Sequence, residues 1–542
     1  MPVTGRSRRA WQGDAVRATP RPRSVLIAAV AGLAALLLGA CAQVVPGTAV
    51  PDPAGSAPPG LEAFYGQQLT WGPCAPLAAT DEDRQIYADP ALQCARMQVP
   101  LDYAAPHGRT AAIAVLRHAA PASPERIGSL VINPGGPGAS GIQTAAYLSS
   151  SLASTDVGRR FDIVGFDPRG VGASEPAIRC LNGPERDADR RDDDTDPSPA
   201  GVASTEGEER QVVDLCAQRS GLDVLANVGT RDVAKDMDVL RAVLGDPRLT
   251  YLGYSYGTRI GSTYAEEFPR NVRAMILDGA LDPDQDPTAE LVDQGRGFQG
   301  AFDAFARNCT TRPNCPLGQD PAQTTRAYQD LTRPLIARPL PLPDGRVMSY
   351  GDAQQGTINA LYVEAYWPRL TRALSDLRAG NGTGLMTLAD EYYERNPDGS
   401  YASSQDAFEA IRCVDDPRIT DPAQSLARAE AYNQAAPFLD SGRGVSGARD
   451  SCAFWPVPPT SQPHVPQVPG LAPPLVVSTT GDPATPYQAG VELARALNGS
   501  LLTKIGDEHT AVFQNSTCVD DIATRYLIDN TPAPPGATCP AT

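Results

Sequence analysis

Gly253-Tyr-Ser255-Tyr-Gly257 is the spacing in this sequence best suited to covalent chemistry. In the G-x-S-x-G pattern a serine sits on a strand-to-helix turn so tight that the side chains two before and two after it must be nearly absent. Ser255 would then stand clear of the backbone as a nucleophile, with the N–H of Tyr256 facing whatever it attacks. A nucleophilic serine needs a base, and the chain has 4 histidines. His107 and His118 lie far upstream of the serine, and His464 is embedded in Ser-Gln-Pro-His-Val-Pro, which reads as surface chain. His509, in Gly506-Asp-Glu-His-Thr510, follows a late apolar run and is the expected base. The acid that fixes its tautomer and stabilises the imidazolium is expected at Asp482, just after Leu475–Thr479, in the chain order Ser, Asp, His. Asp278 also ends an apolar run and is the alternative; Asp507 is too near His509 in sequence to orient it easily. A tetrahedral oxyanion needs two aligned donors. They are expected to be the N–H groups of Tyr256 and of Gly136 in Asn133-Pro-Gly-Gly-Pro-Gly138.

These residues have to be carried by a regular framework. Apolar runs at 109–117, 129–133, Phe161–Phe166, 249–252, 274–278, Leu475–Thr479 and 501–505 have the length of buried strands. Between them, 229–244 repeats Val233, Met237, Leu240, Val243 and Leu244 at helical spacing before Gly245, and 258–268 reads as a helix behind Ser255. Strands alternating with helices predict a largely parallel sheet covered on both faces. Residues 181–210 are acidic and poor in large apolar side chains, and are expected to be a solvated excursion. A long, mainly helical pattern interrupts the alternation after 284 and ends in the Pro-rich stretch 456–474.

The set Asn133-Pro-Gly-Gly-Pro-Gly, Asp167-Pro-Arg-Gly-Val-Gly, Gly253-Tyr-Ser-Tyr-Gly-Thr258, Gly481-Asp-Pro-Ala-Thr-Pro and Gly506-Asp-Glu-His-Thr resembles the secreted actinobacterial branch of the α/β-hydrolase superfamily. That branch holds tripeptidyl aminopeptidases and an envelope-associated serine hydrolase of mycobacteria, all related to proline iminopeptidase. The resemblance covers residues 60–540 and implies an α/β-hydrolase fold with an inserted helical cap between the sixth and seventh strands. Where proline iminopeptidases have His-Gly-Gly-Pro-Gly, this chain has Pro134-Gly-Gly-Pro-Gly. The expected organisation is a signal peptide at 1–40, a linker at 41–60, the first part of the core at 61–284, a cap with its Pro-rich exit at 285–473, and the rest of the core, carrying acid and base, at 474–542.

Composition narrows the function classes. The formal charge is −17, and Lys235 and Lys504 are the only lysines, so no basic face for a phosphate backbone is available and nucleic acid is excluded as a partner. No metal-ligand cluster or cofactor loop is legible, so none is expected, and no protein partner is inferable. Arg6, Arg8, Arg9, Arg17, Arg21 and Arg23 precede a charge-free apolar run at 25–40, too short for a membrane span and right for a signal peptide. Leu38-Gly39-Ala40-Cys41 has the form of a bacterial lipobox, which predicts export, a lipid on Cys41 and attachment to the outer face of the membrane. The other ten cysteines suit disulfides of an oxidising compartment. Pairing sequence neighbours (74–94, 180–216, 309–315, 413–452, 518–539) is the simplest connectivity, though spacing alone leaves others open.

The expected activity is release of short peptides from peptide N-termini through an acyl-enzyme on Ser255, with hydrolysis of cell-envelope esters as the alternative. An exopeptidase must hold a free ammonium, and Asp282, Asp284, Asp286, Glu290, Glu364, Glu391, Asp415 and Asp416 are candidate anchors. An esterase would want an apolar acyl groove, for which Tyr362, Tyr366 and Trp367 are candidates, though they would serve equally as core. A binding protein that has lost catalysis is a third, weaker reading.

Overall fold

A computed structural model describes residues 57–541; the apolar run 25–40 and Cys41 lie outside the described residues. Nine strands form one sheet: β1 Leu92–Pro100, β2 Thr110–His118, β3 Gly128–Asn133, β4 Phe161–Phe166, β5 Leu249–Tyr254, β6 Val272–Asp278, β7 Leu475–Thr479, β8 Ser500–Lys504 and β9 Ala537–Cys539. Their order across the sheet is β1-β2-β4-β3-β5-β6-β7-β8-β9. Strand β2 runs antiparallel to both neighbours, and every pairing from β4 to β9 is parallel. The expected strands are all present, within two residues of their predicted limits; β1 and β9 had not been read from the sequence.

The central strands are apolar throughout because both faces are covered. Leu130, Ile132, Ile163, Leu252 and Ile276 pack with helices Gly141–Leu152 and Thr517–Asp529 on one face. Val131, Val164, Tyr251, Met275 and Leu277 pack with helices Thr230–Val243, Tyr256–Glu267 and Tyr487–Ala496 on the other. Parallel register brings the carboxyl ends of the strands level: Asn133 lies opposite Gly253, and Tyr254 opposite Asp278. The loops that leave β3, β5 and β6 therefore emerge side by side, where ligands bind in open parallel sheets.

The insertion after β6 is helical, as expected, and starts with Pro287–Thr310, capped by the Asp286 side chain. It has its own core, in which Phe298, Phe302 and Phe305 meet Tyr328, Trp367 and Phe438. Residues 181–210 depart from expectation. Instead of a solvated excursion they form the helix Gly183–Asp189 and the first half of the 22-residue helix Pro199–Ser220. Their acids and arginines face partners on the insertion: Arg190 reaches Asp352 and Asp390, Asp187 reaches Arg395, and Glu206 reaches Arg449. The missing apolar stripe is replaced by ion pairs, so hydrophobic periodicity could not reveal this packing. All five neighbour disulfides are formed.

Candidate active site

Strand β5 ends at Tyr254, and helix Tyr256–Glu267 begins two residues later, so Ser255 alone makes the turn. Its φ of 53° and ψ of −126° lie in a region that side chains rarely occupy. The flanking glycines make that turn possible. A Cβ on Gly253 would collide with the Gly257 carbonyl, and one on Gly257 would lie 2.8 Å from the Asn133 carbonyl. Ser255 is held from below by its N–H, which donates to the Asp278 carbonyl at 2.9 Å.

His509 Nδ1 lies 2.9 Å from each carboxylate oxygen of Asp482, and the carboxylate accepts its N–H. Asp482 is 2% exposed, and its charge is compensated locally: Oδ1 accepts the N–H groups of Ala484 and Thr485, and Oδ2 accepts the Thr485 hydroxyl, all at 2.9 Å. Thr485 Oγ1 also lies 3.3 Å from His509 Nδ1. This threonine was missed in the sequence; its position three residues after Asp482, in a turn closed by an aspartate, was the available signal. Burial works against the imidazolium, but the charge and hydrogen bond of Asp482, with a contribution from Asp278, raise His509 above its ordinary value. The His509 Cε1 edge packs on Gly279, so imidazole and serine share the Asp278–Gly279 corner. No side-chain hydrogen bond joins Ser255 to His509 among the described residues; without substrate this contact is commonly long.

Asp278, the alternative acid, has different partners. It is fully buried, and Oδ2 accepts the N–H groups of Ala511 and Val512 at 2.7 Å each, which anchors the loop that carries His509. Oδ1 has no partner. Burial pushes this carboxyl up to about 7 despite the two hydrogen bonds. The remaining histidines are elsewhere: His464 pairs with Glu266 at the surface, His107 is exposed, and His118 ends β2.

The turn after β3 lies against the elbow. A Cβ on Gly135 would stand 2.8 Å from the Tyr256 nitrogen. The Gly135 N–H is occupied by Asn133 Oδ1, whereas that of Gly136 has no acceptor among the described residues. Gly136, Ser255 and Tyr256 line one cavity of about 240 Å³. Leu291, Tyr362, Tyr392, Phe408 and Ile419 form its apolar walls.

Of the candidate anchors, Glu290, Asp415 and Asp416 line this cavity, and Asp282 lines an adjoining one of about 540 Å³. Asp416 pairs with Arg259 at 2.6 Å, and Asp415 is engaged by Thr230 and Tyr256. Glu391 pairs with Arg369, Asp286 caps its helix, and Asp284 and Glu364 are exposed. The backbone N–H of Glu290 donates to the Asp286 carbonyl, but its side chain makes no hydrogen bond or ion pair among the described residues. Burial pushes its carboxyl up to about 7, with Arg259 acting in the opposite direction. Tyr362 lines the cavity and meets His509 edge-on at 5.6 Å, whereas Trp367 is in the core of the insertion and Tyr366 lies beside Arg369. Glu409, Cys413 and Cys452 have donor atoms close enough for a metal, but both sulfurs are consumed in a disulfide.

A strained serine on a strand-to-helix elbow, a buried Asp–His pair from two later loops and a parallel sheet beneath them define a serine hydrolase of the α/β class. The chain belongs to the α/β hydrolase fold family, which it matches over residues 128–516. It is 48% identical over 525 residues to the serine protease Hip1 of Mycobacterium tuberculosis, covering 95% of this chain and 98% of that protein. It is 47% identical over 509 residues to carboxylesterase B of the same species, covering 93% and 96%. The tripeptidyl aminopeptidase of Streptomyces coelicolor is 30% identical over 448 residues, covering 81% of each chain.

Proposed function

We propose that this chain is an exported peptidase that releases short peptides from free N-termini through an acyl-enzyme on Ser255. The observation that carries this reading is Glu290, a carboxylate without a partner in the cavity that holds Ser255. In the proposed sequence Ser255 Oγ attacks the scissile carbonyl as its proton passes to His509 Nε2. Asp482 keeps the Nδ1 proton in place and stabilises the imidazolium. The N–H groups of Tyr256 and Gly136 receive the oxyanion. The C–N bond then breaks as His509 returns the proton to the leaving amine, and a water deprotonated by His509 cleaves the acyl-enzyme. Amides need that proton return and a scissile bond held still, and an ammonium anchored on Glu290 supplies the second.

A charge-assisted hydrogen bond contributes about 1.5–3 kcal/mol, so Glu290→Gln should lower kcat/KM for tripeptidyl anilides about 10- to 100-fold. Acetylating the substrate N-terminus should cause a similar loss and should leave the Glu290→Gln variant almost unaffected. Equal cleavage of free and acetylated peptides by the unaltered enzyme would refute the exopeptidase reading. Hydrolysis of envelope esters is the second reading, supported by the apolar cavity wall and by the relative named carboxylesterase B. Export and a lipid at Cys41 belong to the same proposal; five disulfides are consistent with a compartment outside the cytoplasm.

A further inference from the structure

The helix Ser404–Asp415 belongs to the insertion, yet it touches both loops that would supply the oxyanion donors. At its start, the Ser404 carbonyl and the Phe408 N–H press against Gly138, the last residue of the Pro134–Gly138 turn, so closely that a Cβ there would collide with Ser404. At its end, Asp415 reaches under the elbow. Asp415 is 1% exposed; Oδ1 accepts the Thr230 N–H at 2.9 Å, and Oδ2 accepts the Thr230 hydroxyl. A threonine hydroxyl has one proton, so with that proton on Asp415 the Thr230 oxygen must accept from the Tyr256 hydroxyl, its other neighbour. Tyr256 Oη also lies 3.4 Å from Asp415 Oδ2. Burial, followed by the charge of Asp415, pushes the Tyr256 phenol well up, which keeps that donor proton in place. The next residue, Asp416, pairs at 2.6 Å with Arg259 on the elbow helix. The disulfide Cys413–Cys452 ties the same end of the helix to the segment Ser451–Phe454.

We infer that the helix Ser404–Asp415 braces the oxyanion hole from the insertion, and that Asp415 is a positioning residue that sets the Tyr256 N–H through the side chain of the same tyrosine. The inference rests on the proposed oxyanion role of Tyr256 and Gly136. Its physical basis is that donors to a developing oxyanion stabilise it only if their geometry is fixed beforehand. Tyr256 is the first residue of a helix, so its N–H has no intrahelical partner and its direction follows the placement of the whole residue. A ring buried to 6% exposure and held at its hydroxyl by two residues of the core and insertion has little freedom to tilt. The insertion would thus do more than cover the cleft: one of its helices completes the site beneath it.

Asp415→Ala, Asp415→Asn and Tyr256→Phe test this with p-nitrophenyl butyrate as substrate and a short alkyl trifluoromethyl ketone as inhibitor. The ketone becomes a hemiketal oxyanion on Ser255, so its affinity reports the hole directly. Asp415→Ala is expected to lower kcat about 10- to 100-fold with KM within about twofold, and to weaken the ketone in proportion to kcat. Asparagine preserves an acceptor for the Thr230 N–H and should restore kcat to within about fivefold. Should the alanine variant fail to fold, Tyr256→Phe, which removes only the hydroxyl, is expected to lower kcat and ketone affinity together by about 3- to 10-fold. A folded Asp415→Ala or Tyr256→Phe enzyme with unchanged kcat overturns the inference, as does a loss of kcat with ketone affinity intact. Activity retained by Ser255→Ala would instead remove the underlying serine-hydrolase reading, a result visible without any change at Asp415.

Discussion

At the scale of single residues, two buried aspartates at the ends of neighbouring strands have different surroundings, which supports different roles in the proposed mechanism. Asp482 has its oxygens facing the Nδ1 side of His509, while Asp278 turns one oxygen to the backbone of the loop beyond His509. Asp482→Ala should therefore lower kcat by about 10³- to 10⁴-fold with little change in folding, as measured by steady-state kinetics beside circular dichroism. Asp278→Asn, which can still accept from Ala511 and Val512, should retain activity within about tenfold. The reverse ranking would transfer the acid role to Asp278. A second expectation follows from the raised carboxyl at Asp278. Its folded value of about 7 exceeds the ordinary unfolded one, so its contribution to stability is fully present below about pH 4 and is lost as the pH rises towards 7. Denaturant titrations of Asp278→Asn should show a flatter stability profile across that window than the unaltered protein. A profile of the same slope would mean that another group titrates there.

At the scale of elements, ion pairs join the helices at 183–220 to the insertion, beside the apolar packing of Val213 and Cys216. Arg190 is the centre of this contact: its side chain is 4% exposed and meets Asp352, itself 1% exposed, as well as Asp390. Taking two charges out of water costs several kcal/mol, and their pairing offsets that cost only while both are present. Arg190→Ala leaves Asp352 buried without its partner and should destabilise the protein by about 3–5 kcal/mol, read from the midpoint of urea unfolding. Arg443→Ala, which breaks half-exposed contacts to Asp193 and Asp196, should cost less than about 1 kcal/mol. Equal losses for the two would show that burial is not what gives Arg190 its weight.

At the scale of the whole molecule, one chain combines a sheet that positions the chemistry, an insertion that covers it and five disulfides that tie both. Cys74–Cys94, Cys180–Cys216 and Cys518–Cys539 lie in the sheet and its flanking segments, while Cys309–Cys315 and Cys413–Cys452 lie in the insertion. Among the described residues no helix is long and apolar enough to cross a membrane. The proposed lipid attachment is at Cys41, so Cys41→Ser should move the protein from the membrane fraction to the soluble fraction or the medium. Mass spectrometry of the native N-terminus provides the direct check: an unmodified terminus at another residue would remove the lipid proposal.

Much of the site was legible before any tertiary contact was known, because the constraints behind it act over short stretches of chain. Glycines two residues either side of Ser255 are a local requirement of the elbow, four histidines left one in the right loop, and strand ends placed Asp482. The cysteines beyond Cys41 do pair with their sequence neighbours, the simplest connectivity, although spacing alone left others open. What the chain order could not decide were the questions settled by distant segments meeting. Asp278 and Asp482 look alike in sequence and separate only when the loop at 509–512 folds onto β6. Eight acids were equal candidates for an anchor; packing pairs Asp415 and Asp416, and Glu290 lines the Ser255 cavity without a side-chain partner among the described residues. Helix Pro199–Ser220 shows little apolar periodicity in its first half, where the buried Glu206 finds its partner in Arg449, more than 200 residues away; its second half packs through Val213 and Cys216. Local spacing determines which residues can do chemistry; the burial and pairing that decide which of them do it are properties of the folded molecule.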